Sequence, residues 1–239
     1  DLLNPWNETQ PNWARDQYLT RLMARDENMD IVPLLAVEWS QNVEGLTIKT
    51  HPKAACQNGE PMDAESLKNN IEGLIGNIEG FSGMLNAARL STFVDSSGYE
   101  ILGDRELFVK TQSVDPASWS LMHGANYHLT WFGPANYILE QGHDGYIENP
   151  VGCGPYELTE YKPGDSAKFT RWEDFWGDYE HYSKPQAQTM DWIKVPEAAT
   201  RFALLKTEDV DMALNLPYAI AKNITRSEDS QPGVNPGNG

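Results

Sequence analysis

The order of patterned segments predicts a mixed α/β chain in which a smaller α+β unit interrupts a larger α/β body. Three observations carry this. Apolar residues recur at helical spacing after Asp63, two alternating segments meet at Lys162-Pro163-Gly164-Asp165, and a strand over 190–195 leads through a helix over 198–206 to a second strand at Val210-Asp211-Met212-Ala213.

Taken in order, Pro5, Trp6, Pro11 and Trp13 bracket an irregular opening. Tyr18, Leu19, Leu22 and Met23 then fall at helical spacing and predict a short amphipathic helix. Leu46, Ile48 and Thr50 alternate with Thr47 and Lys49, the mark of a half-buried strand that follows a polar turn at Glu44-Gly45. Asn58-Gly59 is a tight-turn pair, and Asp63 is placed to cap a helix whose apolar face is Leu67, Ile71, Leu74, Ile75 and Ile78, ending near Gly80. Asp95-Ser96-Ser97-Gly98 reads as a turn before a strand with Leu107, Val109 and Thr111 on one face. Asp115-Pro116 closes that strand, and the aromatic residues of 117–148 select no element. The Pro-Gly pair at 163–164 has the chemistry of a hairpin turn, and Pro196-Glu197 suits the first turn of the helix that follows. No repeat is visible, and the chain beyond Pro217 loses its pattern, with 226–239 read as a disordered tail or the start of a further lobe.

Composition narrows the function classes. The 239 residues carry 35 acidic and 18 basic side chains, a balance of -17 that repels a phosphate backbone and excludes nucleic acid as a partner. That acidity is spread along the chain as a solvated surface would be. Mean hydropathy is -0.55, and no run approaches the roughly 18 apolar residues of a membrane helix. The start, Asp1-Leu2-Leu3-Asn4-Pro5, enters a turn without an export signal, so any such signal has been removed or was never there.

Cys56 and Cys153 are the two cysteines, too far apart in sequence for a CxxC motif. The residues leave two readings open, a pair or two buried free thiols. His51, His123, His128, His143 and His181 show neither an i,i+4 pair nor HExxH spacing, so no metal site is assigned. No GxSxG elbow is present and no catalytic residue is assigned. A glycoside hydrolase with paired carboxylates is the enzymatic alternative, and a sensor or scaffold fragment is the third reading. The sequons at Asn7-Glu8-Thr9 and Asn223-Ile224-Thr225 matter only in a eukaryotic secretory setting.

Five segments, in order, resemble the extracellular solute-binding proteins of family 5, the peptide/nickel type that serves ABC importers. They are Leu3-Asn4-Pro5; Pro33-Leu34-Leu35-Ala36-Val37-Glu38-Trp39; Leu46-Thr47-Ile48 leading to Asn58-Gly59-Glu60-Pro61-Met62-Asp63-Ala64-Glu65; Asn149-Pro150-Val151-Gly152-Cys153-Gly154-Pro155-Tyr156; and Ala199-Thr200-Arg201 to Glu208-Asp209-Val210-Asp211-Met212. Phe175-Trp176-Gly177 stands where the family has an aromatic-Trp-Gly turn.

The resemblance implies a periplasmic binding protein-like fold of type II. Residues 1–20 and 150–225 would form the α/β core of the first lobe and 21–149 an inserted α+β subdomain, with the second lobe largely absent from the chain. It implies capture of peptides, or oligosaccharides as a second cargo, outside the cytoplasmic membrane. Delivery would be to ABC permease subunits, without cofactor or catalysis, and with contact to the membrane only through a removed lipid anchor. Ligand contacts would fall on Trp6, Asn7, Glu8 and Thr9, with Trp13 and Trp131 added as aromatic candidates. Gly152, Gly154, Pro155 and Tyr156 would form a hinge, and Asn58 and Gly59 a structural turn. The family usually has an aromatic and an Asp near Cys56-Gln57-Asn58 and a Thr at Cys153. Cysteines at two motif positions imply a disulfide between Cys56 and Cys153.

Overall fold

Tyr18 is where the N-terminal helix stops. The computed structural model describes residues 5–6, 15–26, 28, 30–81, 94–111, 131–177 and 184–222. Helix α1 (Arg15–Tyr18) is one turn long, because the Tyr18 carbonyl accepts the N–H groups of Cys153 and Gly154 at 2.9 and 2.8 Å. The helix expected through Met23 is therefore replaced. Thr20 pairs with Phe132 across an isolated bridge, and β1 (Met23–Arg25) pairs antiparallel with β2 (Ile31–Pro33). Tyr18, Leu19, Leu22 and Met23 are all buried, so the apolar spacing reported burial and not helical period.

Strands β3 (Ala36–Gln41) and β4 (Gly45–Thr50) form a hairpin whose turn is closed by Asn42, which accepts the N–H groups of Glu44 and Gly45 at 2.8 and 3.0 Å. Leu46, Ile48 and Thr50 face the core as the alternation predicts. Helix α2 (Ala64–Ile75) begins where Asp63 accepts the Ser66 N–H at 2.9 Å. It ends at Gly76, earlier than the expected Gly80, in a Schellman arrangement: Gly76 adopts φ 78°, and the N–H groups of Asn77 and Gly76 reach back to Glu72 and Gly73.

The segment Asp95-Ser96-Ser97-Gly98 lies inside β5 (Val94–Gly103) and is no turn. There the strand bulges: Val94 faces Thr111 and Tyr99 faces Val109, so the β5 side advances five residues while β6 (Glu106–Thr111) advances two. Leu107, Val109 and Thr111 share the buried face of β6. The sheet order is β3-β4-β6-β5, and its three pairings run antiparallel.

Helix α3 (Ala135–Glu148) kinks at Gly142 (φ 68°, ψ -177°), a conformation open only to glycine. Strands β7 (Tyr156–Lys162) and β8 (Ser166–Arg171) form the Pro-Gly hairpin, in which Gly164 has φ 77° and the Asp165 N–H donates to the Lys162 carbonyl at 3.0 Å. Strand β9 (Thr189–Ile193) completes the sheet β7-β8-β9. One apolar core joins Trp6, Leu46, Leu67, Trp131 and Phe169.

The chain divides into two units, Asp1–Trp192 and Ile193–Gly239. In the second, α4 (Ala198–Lys206) takes Glu197 as its N-cap, which puts Pro196 before the cap and not in the first turn. The segment 210–213, expected as a strand, joins no ladder among the described residues. Arg201 ties this unit together by donating to the carbonyls of Val195, Pro196, Leu214 and Asn215. A short α5 (Tyr218–Ala221) follows, and no described residue over 193–222 is buried. The expected close of the strand at Asp115-Pro116, residues 117–130 of the aromatic segment and the tail 226–239 lie outside the described residues, while α3 occupies the end of that segment, for which the sequence selected no element.

Candidate functional site

The crossover from α3 to β7, residues 150–156, is held by contacts from α1, from α3 and from the loop at Cys56-Gln57. Tyr146 donates its hydroxyl to the Val151 carbonyl at 2.8 Å, and burial pushes that phenol well above its ordinary range. Gly152 and Gly154 then run against the end of α1. A Cβ on Gly152 would stand 1.9 Å from the Tyr18 carbonyl oxygen, and one on Gly154 2.5 Å from that of Leu19. Neither glycine has a positive φ, so the sequence expectation of a Cβ-forbidden backbone conformation gives way to a different reason: two backbones touch.

The Asn58-Gly59 loop grips the crossover from the other side. Cys56 and Cys153 are joined by a disulfide with both residues buried. Next to it, Gln57 makes a two-way clamp. Its Oε1 accepts the Gly152 N–H at 2.9 Å, its Nε2 donates to the carbonyls of Tyr156 at 2.7 Å and Gly154 at 3.4 Å, and its own N–H donates to the Gly152 carbonyl at 2.9 Å. Gly59 adopts φ 84° and Asn58 accepts the Glu60 N–H at 3.1 Å, so this pair makes the turn that sequence chemistry expects. The Pro155 carbonyl accepts the Trp172 N–H at 2.9 Å, while Tyr156 is buried and donates its hydroxyl to Ala187.

The aromatic ligand candidates sit elsewhere. Trp6 is fully buried, with its indole N–H on Asn70 at 3.2 Å, its ring edge-on to Phe81 at 5.0 Å, and Gly73 so close that a Cβ there would lie 2.1 Å from the indole. Trp131 is also buried. Its N–H donates to Asp16 at 2.7 Å, and the guanidinium groups of Arg15 and Arg21 lie over its ring at 5.4 and 5.0 Å. Both indoles are thus engaged by the protein's own residues and offer no open stacking face. Asn7, Glu8, Thr9 and Trp13 lie outside the described residues.

A surface depression of about 460 Å³ opens beside the crossover, lined by His51, Pro52, Lys53, Asp174, Phe175 and Trp176. The His51 imidazole lies 5.5 Å from the Trp176 ring, and its Nδ1 accepts the Lys53 N–H at 3.2 Å. Burial, followed by the charges of Lys53 and Arg105, lowers the His51 pKa from its ordinary 6.5. Trp176 is pinned in turn by its N–H on the Cys153 carbonyl at 3.1 Å. Among the described residues no group of three or more His, Cys, Asp or Glu side chains is arranged to hold a metal ion. No described helix is long and apolar enough to cross a membrane.

Sequence reasoning passed over Gln57, Asn70 and Asp16. Gln57 showed itself only as a departure beside Cys56. Asn70 is fully buried within α2, where an amide among Leu67, Ile71 and Leu74 was the available signal.

Solved structures of similar shape share this fold. The dipeptide-binding protein of Pseudoalteromonas sp. SM9913 in complex with Met-Leu gives a TM-score of 0.71 at 16% identity, over 87% of this chain and 44% of that one. The oligopeptide-binding protein AppA of Bacillus subtilis in complex with a nonapeptide gives 0.69 at 18%, over 88% and 41%. In sequence, the chain is 24% identical to the glutathione-binding protein of Pectobacterium atrosepticum over 95% of its own length and 42% of the relative's. It is 26% identical to the nickel-binding periplasmic protein of Escherichia coli over 88% and 38%. Residues 30–238 match the model of the bacterial extracellular solute-binding proteins, family 5, and the chain belongs to that family. It spans about 40% of the length of the relatives it matches.

Proposed function

We propose that this chain is the first-lobe portion of an extracytoplasmic substrate-binding protein that captures peptides and delivers them to the permease subunits of an ABC importer. Residues 1–20 and 150–225 would form the lobe core and 21–149 the inserted subdomain. The observation that carries the reading is the family match over 30–238. Peptide cargo is supported by the glutathione-binding relative, glutathione being a modified tripeptide. Oligosaccharide cargo rested on tryptophan stacking and loses that support at Trp6 and Trp131, whose rings are already engaged.

The mechanism is capture without chemistry. Cargo binds between lobes, contacts to both stabilise the closed form, and that form docks on the transporter. Relatives named as binding proteins support a protein that is not an enzyme. A location outside the cytoplasm is supported by the family and by a buried disulfide, which needs an oxidising compartment to form. The test is a titration of intrinsic tryptophan fluorescence with pooled di- to nonapeptides and, separately, with pooled oligosaccharides. A saturable change with peptides alone supports the reading; a change with oligosaccharides alone overturns the cargo.

A further inference from the structure

We propose that Gln57 is a latch over the buried Cys56–Cys153 disulfide, so that the crossover 152–156 is a locked joint that a reductant reaches only after the Gln57 bonds open. Two different attachments from one loop hold the same segment. The disulfide ties Cys153 to Cys56, and the Gln57 amide bonds the residues on both sides of it, Gly152 before and Gly154 and Tyr156 after. Around them the Cys153 and Gly154 N–H groups are held by Tyr18, and the Cys153 carbonyl is held by Trp176. Cys56 and Cys153 are 1% and 0% exposed.

Thiol–disulfide exchange requires a thiolate to approach one sulfur along the S–S axis, which a buried bond does not permit. One thiolate of a dithiol would attack one sulfur, form a mixed disulfide and release the other cysteine as its thiolate; the second thiolate would then attack the reductant's own sulfur and release the cysteine first attacked. Two electrons and two protons pass to Cys56 and Cys153, and the dithiol leaves as a cyclic disulfide. Neither step begins until the segments around the still-bonded sulfurs open. That opening breaks the Gln57 bonds to Gly152, Gly154 and Tyr156 and the Tyr18 and Trp176 bonds to Cys153 and Gly154, but not the sheet β3-β4-β6-β5, so it is a local opening. The expected hinge thereby becomes a brace: set once by oxidation, it is kept by a latch and joins the turn loop to the end of α1 as one rigid piece.

The experiment measures reduction of the oxidised protein by dithiothreitol in native buffer against sub-denaturing urea, with released thiols counted by labelling. A local opening gives a rate that stays flat at low urea, because little surface is exposed. Gln57→Ala is expected to raise that plateau roughly ten- to hundredfold, from the loss of its side-chain hydrogen bonds. Gln57→Glu, which keeps the acceptor for Gly152 and loses the donors, is expected to fall between. Hydrogen exchange on the unaltered protein gives a second reading: the N–H groups of Gly152, Cys153 and Gly154 should open with the same urea independence. A reduction rate that climbs from the first urea increment with the slope of global unfolding would overturn the latch. So would a plateau that Gln57→Ala leaves unchanged.

Discussion

Asn70 holds Trp6 inside the core: its Oδ1 accepts the indole N–H at 3.2 Å and the Gly133 N–H at 3.0 Å, while its Nδ2 donates to the Gly133 and Ser66 carbonyls at 2.9 Å each. One buried amide thereby fixes the N-terminal segment, α2 and the start of α3 on one another. Replacing it by alanine strands a buried indole N–H and both polar groups of Gly133. Asn70→Ala is expected to lose about 3 kcal/mol of stability, read as a lower urea midpoint with an unchanged slope. A loss below about 0.5 kcal/mol would mean that water replaces the amide.

The glycines of the motifs separate by cause. Gly152→Ala forces a Cβ onto the Tyr18 carbonyl, a backbone atom that cannot swing aside, and is expected to cost about 3 kcal/mol or more. Gly59→Ala meets nothing within 4 Å and suffers only from φ 84°, so its cost is about 1–2 kcal/mol. Thermal denaturation of the two variants side by side checks the order; a larger loss at Gly59 would place the strain in the turn and not in the contact.

His51 sets a pH dependence. Its folded pKa is lowered from 6.5, so the unfolded chain binds the proton more readily. The stability contributed by the neutral ring is present above pH 6.5 and is lost as pH falls through the folded value. His51→Phe keeps a ring beside Trp176 and removes the titration, and should flatten the fall in urea midpoint between pH 7.5 and 5. The same slope in both proteins would assign the dependence to other groups.

The disulfide closes a sequence separation of 97 residues, and the entropy it removes from the unfolded chain is worth about 4.7 kcal/mol. The Cys56→Ser, Cys153→Ser double variant should lose that much against the oxidised protein in urea unfolding. An equal stability of the two would mean that the Gln57 bonds alone order the crossover.

Much of the fold was legible where the deciding contact is local. Asp63 caps α2 three residues away, Pro163-Gly164 makes its own turn, and the alternation at Leu46, Ile48 and Thr50 matches the sheet face. Misreadings fall where distant chain decides. Tyr18 ends its helix because residues 153 and 154 take its carbonyl, and Asp95-Ser96-Ser97-Gly98 stays in β5 because β6 pairs on both sides of it. The site was legible as motif and not as role. Gly152 and Gly154 stood out, but their contact with Tyr18 and Leu19 needs the fold, and Gln57 acts through residues nearly a hundred positions away. Trp6 and Trp131 have the composition of a ligand platform, yet Asn70, Asp16 and two arginines engage them first.

The central claim is that a protein carrying this chain holds a peptide and returns it intact. Isothermal titration with defined di- and tripeptides, followed by mass spectrometry of the released ligand, tests it directly. Saturable heat at one site with the peptide recovered unchanged in mass is the predicted result; cleaved or modified peptide, or heat from oligosaccharides and none from any peptide, would contradict it.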